Sequence, residues 1–104
     1  VKLLDCDARW IDFGDRRGVG LRFLLPAGPW RSTGIRVLFR NPLDDGPPLT
    51  RAEAELLRCD NKGQRWTRAG VELGTLTVTP SINAGRGNWH GNVTDGNVEG
   101  GLER

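Results

Sequence analysis

Alternation constrains this chain more than any other feature. Leu21, Phe23 and Leu25 recur at every second position, as do Ile35, Val37 and Phe39, and Leu76 and Val78 alternate with Thr75, Thr77 and Thr79. A two-residue period puts one set of side chains on one face of a strand and cannot build a continuous apolar stripe on a helix. The punctuation agrees, because 15 glycines and 6 prolines in 104 residues supply turns at short intervals.

Read from the N-terminus, residues 1–4 start a short apolar strand that the charges of Asp5-Cys6-Asp7 interrupt. Trp10, Ile11 and Phe13 form a second apolar cluster, followed by Gly14-Asp15-Arg16-Arg17-Gly18 as a polar turn. Residues 21–25 and 35–39 then pair as an antiparallel hairpin whose connection, residues 26–34, is long enough to protrude. Residues 66–73 read as a strand with a turn at Ala69-Gly70, and the Thr-rich strand after it is stopped by Pro80. Residues 89–93 form a further strand, Asp95-Gly96 supplies the positive φ angles of a tight turn, and Val98 begins the return.

One helix is legible. Thr50 and Glu53 have the spacing of a capping box, and Ala, Glu and Leu dominate residues 51–58, with Asp60, Asn61 and Gly63 to stop the helix. Two turns cannot be stable alone, so Leu56 or Leu57 must pack on a sheet. The expected fold is mainly β, a small antiparallel sandwich or open barrel, with this one helix and a single compact domain over residues 1–104.

Net charge is only +2, from 15 basic and 13 acidic residues, so no global field draws the chain to nucleic acid or an anionic membrane. Of the basic residues 13 are arginine. A GC-rich coding sequence explains such a bias, yet arginine also suits bidentate contacts to carboxylates and phosphates, so a local patch stays open. Cys6 and Cys59 stand 53 positions apart and lack the spacing of a metal pair. With no apolar run of signal-peptide or membrane-span length, the expectation is a cytoplasmic protein with reduced thiols and no cofactor, a Cys6–Cys59 disulfide being the minor reading.

Candidate chemistry gathers in Gly85-Arg86-Gly87-Asn88-Trp89-His90. The glycines let a ligand approach the backbone, Arg86 offers a planar fork, and His90 is a candidate base or ligand. The bland alternative is a packed, hydrogen-bonded structural histidine beside a tryptophan. A metal site would have to converge Cys6, Cys59 and His90, and nucleophilic catalysis would have to use Ser32 or Ser81 with His90 as base. Asp44-Asp45 reads as a solvated loop pair. Trp10 and Trp66 read as core, whereas Trp30 beside Arg31 in a Gly/Pro loop has the composition of an interface anchor. A nucleic-acid platform would draw on Arg16, Arg17, Arg31, Arg36, Arg40, Arg65 and Arg68 with Trp30 and Trp66.

A strand ending in Thr-Pro-Ser-Ile, a short loop, then Trp-His-Gly and Asp-Gly resembles the C-terminal signature of an uncharacterised family of small phage, prophage and bacterial proteins, a domain of unknown function. Residues 75–98 carry the resemblance, and Val37-Leu38-Phe39-Arg40-Asn41-Pro42-Leu43, Gly46-Pro47-Pro48, Trp66 and Gly70 extend it. Many relatives place cysteines near the histidine, which implies a metal or structural site in those members, whereas here Asn83-Ala84-Gly85-Arg86-Gly87-Asn88 has none. The resemblance implies a phage or mobile-element accessory. The functional expectation is a module that binds a protein partner through Trp30, Arg31, Arg86, Asn88, Trp89 and His90. It would inhibit a host defence complex or serve as a minor structural component. The competing classes are an enzyme or metal-dependent protein centred on His90, and a single-stranded nucleic-acid binder.

Overall fold

In the computed structural model, which describes residues 1–25, 33–59, 63–83 and 89–102, the alternating segments are strands with their apolar phase turned inward. β1 (Arg9–Phe13), β2 (Arg16–Leu24) and β3 (Gly34–Leu38) form one antiparallel sheet in that order. Across β2 and β3, Leu21 faces Val37 and Phe23 faces Ile35. These four residues and Phe39 are each 5% exposed or less, as the hairpin reading requires. After the helix α1 (Arg51–Leu56), the strands β4 (Thr67–Ala69), β5 (Thr77–Asn83), β6 (Trp89–Thr94) and β7 (Asn97–Leu102) form a second antiparallel sheet, also in chain order.

The main core joins the two sheets. Leu21, Phe23, Ile35, Val37 and Phe39 meet Val78, Ile82, Trp89, Val93 and Val98, and Leu3, Cys6, Trp66 and Leu76 fill in from the connecting segments. Trp10, read as core, is half-buried at the margin, its ring edge-on to Phe39 with centroids 6.1 Å apart. A second, smaller core of Val19, Leu38, Leu49, Ala54 and Cys59 lies against the opposite phase of β3 and is covered by the helix and its approach. Cys6 and Cys59 therefore belong to separate cores and form no disulfide. Burial pushes the Cys6 thiol pKa up.

Where β3 ends, the sheets are stitched together. Trp66 N donates to Leu38 O at 2.9 Å and Arg40 N donates to Trp66 O at 2.6 Å, a parallel bridge between Phe39 and Trp66. Asn41 continues the seam with its side chain, accepting from Arg68 N and donating to Arg68 O, both at 2.8 Å. At the other margin Lys2 bridges Asn97, and Val98 N donates to Val1 O at 2.7 Å.

Several local expectations are corrected. Residues 1–4 do not continue as a strand, because Leu3–Asp5 winds into a 3₁₀ turn that buries Leu3. The polar turn contracts to Gly14-Asp15, with Phe13 opposite Arg16. Between Ile11 and Phe13 the partner positions on β2 run from Gly20 to Arg16, so β2 carries two extra residues there. Gly18 takes φ 60 within this bulge, and Val19 joins the second core rather than the first. The strand read over residues 66–73 shrinks to Thr67–Ala69 before Gly70.

Pro80 does not end its strand: β5 runs through it to Asn83, and the Thr79–Pro80 peptide is cis. The register with β6 breaks between Val78 and Ile82, so a residue without an N–H sits where the ladder is already interrupted.

The helix has the predicted capping box: Thr50 Oγ1 accepts from Glu53 N at 3.2 Å, and Glu53 Oε1 accepts from Thr50 N at 2.9 Å. That second bond lowers the Glu53 carboxyl pKa below its ordinary value. The helix stops earlier than the composition suggests. Arg58 adopts φ 56, Arg58 N donates to Glu55 O and Cys59 N donates to Ala54 O, the paired bonds of a Schellman cap with arginine in the place glycine favours. Ala54 is buried and Leu57 packs on the second core, while Leu56 is 75% exposed.

The Asp44-Asp45 loop is likewise more than solvated polar chain. Asp44 accepts from Arg16 Nε at 2.7 Å and Nη2 at 3.0 Å, from Arg17 N at 3.1 Å and from Gly46 N at 2.9 Å. The Arg16 guanidinium, helped by the Gly46 and Arg17 amides, holds the Asp44 carboxyl well below the usual range.

Phe39→Ala removes a fully buried ring from the main core and should cost about 3 to 5 kcal/mol, read by urea unfolding. Full retention of stability would remove Phe39 from the core. Arg58→Gly relieves a left-handed backbone at an exposed helix end and should raise stability by about 0.5 to 1 kcal/mol in the same assay. A loss would mean that the arginine side chain, rather than the cap, governs this position.

Candidate functional site

The C-terminal hairpin forms as read. Thr94 pairs with Asn97, and the intervening Asp95 and Gly96 take φ 47 and 75, the two positive angles that a two-residue turn requires. Alternation along β6 then separates the two central candidates. Trp89 points inward and is 3% exposed, with its ring edge-on to Phe23 at a centroid distance of 6.2 Å. Cross-strand partners Gly91 and Gly100 make room for the indole, since a Cβ at Gly100 would come within 2.6 Å of it and one at Gly91 would collide with the ring and with Glu99 O. Trp89 is therefore a core residue.

His90 points to the outer face, half-buried, with Nε2 2.9 Å from Ser81 Oγ on the neighbouring strand. Ser81 O in turn accepts from Trp66 Nε1 at 3.4 Å. The histidine thereby ties β6 to the part of β5 that follows the register break. A serine oxygen at this distance from a ring nitrogen is also the first element of a nucleophile and base pair. Trp30, Arg31, Arg86 and Asn88 lie outside the described residues. Cys6, Cys59 and His90 do not converge, and among the described residues no three His, Cys, Asp or Glu side chains are grouped to hold a metal ion. Farther along the same hairpin, Asn92, Thr94, Asp95, Asn97 and Glu99 line a shallow polar hollow of about 310 Å³.

A different feature emerges on the three-stranded sheet. Arg9 is opposite Arg22 on β1 and β2, and Arg22 is opposite Arg36 on β2 and β3. Arg22 lies between the buried Leu21 and Phe23, and Arg36 between the buried Ile35 and Val37, so the row occupies the face turned away from the main core. Adjacent strands are about 4.8 Å apart, which makes the row roughly 10 Å long. Asp7 sits at one end, Oδ1 3.2 Å from Arg9 and Oδ2 3.8 Å from Arg22. Arg36 makes no ion pair with any described acid. Like charges directly opposite on a sheet destabilise it, so this arrangement works against the fold.

The arginines grouped as a nucleic-acid platform divide differently. Arg16 is engaged by Asp44 and Pro47 O, Arg65 by Leu49 O, and Arg68 by Asn41 O and Gly70 O. Trp66 is core at 1% exposure. Among the described members of that group only Arg36 joins the row, and Arg9 and Arg22 were not singled out. The signal was present in the hairpin register, since pairing Leu21 with Val37 and Phe23 with Ile35 sets Arg22 opposite Arg36.

No family model, curated protein or solved structure matches the chain. No helix among the described residues is long and apolar enough to cross a membrane.

Gly100→Ala introduces a methyl group where the Trp89 indole lies and should cost about 1 to 3 kcal/mol through overpacking, with a changed near-ultraviolet circular dichroism spectrum. An unchanged melting curve and spectrum would detach Trp89 from this packing. Gly101, whose Cβ would meet open space, is the matched control.

Proposed function

We propose that this protein is a non-enzymatic binding module of phage or mobile-element type that acts in the host cytoplasm through protein–protein contact, as an inhibitor of a host defence complex or a minor accessory component. The arginine row carries the reading. Three directly opposed arginines on an outward sheet face, with Asp7 reaching only Arg9 and Arg22, cost stability, and a partner surface is what such a face serves. The three described tryptophans weigh against a single-strand platform, because stacking needs exposed rings, whereas Trp66 and Trp89 are buried and Trp10 is half-buried against Phe39.

One observation favours a second reading, an acyl-transfer enzyme centred on His90: the 2.9 Å approach of Ser81 Oγ to His90 Nε2. Affinity capture from host lysate treated with nuclease, using wild type and His90→Ala as bait, separates the two. The binding module should retain a stoichiometric protein partner with both baits. Retention that disappears with nuclease treatment, or turnover of acyl esters abolished by His90→Ala in a folded protein, would overturn it.

A further inference from the structure

We propose that the Arg9–Arg22–Arg36 row is a receptor for an acidic segment of the partner protein, and that Asp7 is its built-in competitor. The inference rests on the binding-module reading and adds the chemistry of the partner.

The molecule itself shows which ligand the row takes. Asp7 places one carboxylate oxygen against Arg9 and the other toward Arg22, so a carboxylate spans two neighbouring guanidinium groups. Arg22 and Arg36 are likewise directly opposed, on β2 and β3. A second carboxylate seated there would pair with Arg36, which has no ion pair among the described residues, and relieve the repulsion between opposed like charges. Arginine suits the role, since its planar fork holds a carboxylate in a fixed direction.

The surroundings favour a peptide. Next to the row on the same phase of the sheet are Leu24, half-buried, and Gly34, its directly opposed partner, a low apolar shelf. An extended acidic peptide can lay an aliphatic or backbone surface on this shelf while its carboxylates face the row. Asp7 occupies the other end on a left-handed backbone, φ 50, with its side chain 47% exposed. An arriving acid can displace it into water at little cost, because exposed ion pairs contribute little.

The test uses a fluorescein-labelled peptide of alternating Glu and Ser, its Gln-for-Glu counterpart and an oligothymidylate of equal charge, with binding read by anisotropy. Wild type should bind the Glu peptide more weakly as salt rises and should not bind the Gln peptide. Arg22→Ala and Arg36→Ala should each weaken binding by roughly tenfold or more, about 1.4 kcal/mol, with an unchanged or raised melting temperature. Asp7→Asn, which suits the same left-handed backbone, should tighten binding severalfold. Arg17→Ala, on the far end of β2, should leave affinity unchanged. Absence of binding by the folded wild type, equal affinity for the arginine variants, or tighter binding of the oligothymidylate would overturn the inference. If Arg22→Ala and Arg36→Ala still retain the stoichiometric lysate partner, the binding module stands and the acidic segment falls. If no protein partner is retained by wild type while the Glu peptide binds as described, the module reading fails and the carboxylate receptor remains.

Discussion

The seam between Phe39 and Trp66 organises everything around it. β3 completes the three-stranded sheet and, one residue later, delivers its chain to the start of the four-stranded sheet through Trp66 N, Trp66 O and the Asn41 amide. Both ring systems at the seam are buried, so its hydrogen bonds form in a low-dielectric setting where they are stronger and where leaving them unmade costs most. The two inward faces can share one core only while this junction holds their mutual orientation. The Arg16 and Asp44 contact reinforces it by pinning the loop that leaves the seam.

Burying one face of each sheet dictates what the other face can do. On the three-stranded sheet the outward phase is divided in two: Ile11 and Leu38 contribute to the helix-covered core, and Arg9, Arg22 and Arg36 remain outside it. The bulge at Gly18 helps set this division by turning Val19 toward the helix side. On the four-stranded sheet the same alternation sends Trp89 into the core and His90 out to Ser81. Adjacent residues of one motif thus have opposite fates, a direct consequence of the two-residue period.

The candidate site was less legible than the fold. His90 was visible as the lone histidine and Ser81 as one of two serines that could pair with it, but their contact could be recognised only after β5 was seen to continue beyond Pro80, whose missing N–H falls at a register break no local pattern announces. The arginine row needs three strands in register. Its members are far apart in sequence, and each reads locally as an ordinary outward charge, so nothing short of the pairing makes them neighbours. Conversely Arg16, Arg65 and Arg68 looked available and are consumed by carbonyls and by Asp44.

By itself the sequence determined the β class, the Leu21–Val37 hairpin, the Asp95-Gly96 turn and the capping box at Thr50, because each rests on periodicity or on hydrogen bonds closed within a few residues. Tertiary structure decided the rest. The passage of β5 through Pro80 and the convergence of three arginines depend on how distant segments share space. Burial of Trp89 shows the same limit: only when Gly91 and Gly100 face each other across β6 and β7 does a pocket exist that an indole can fill.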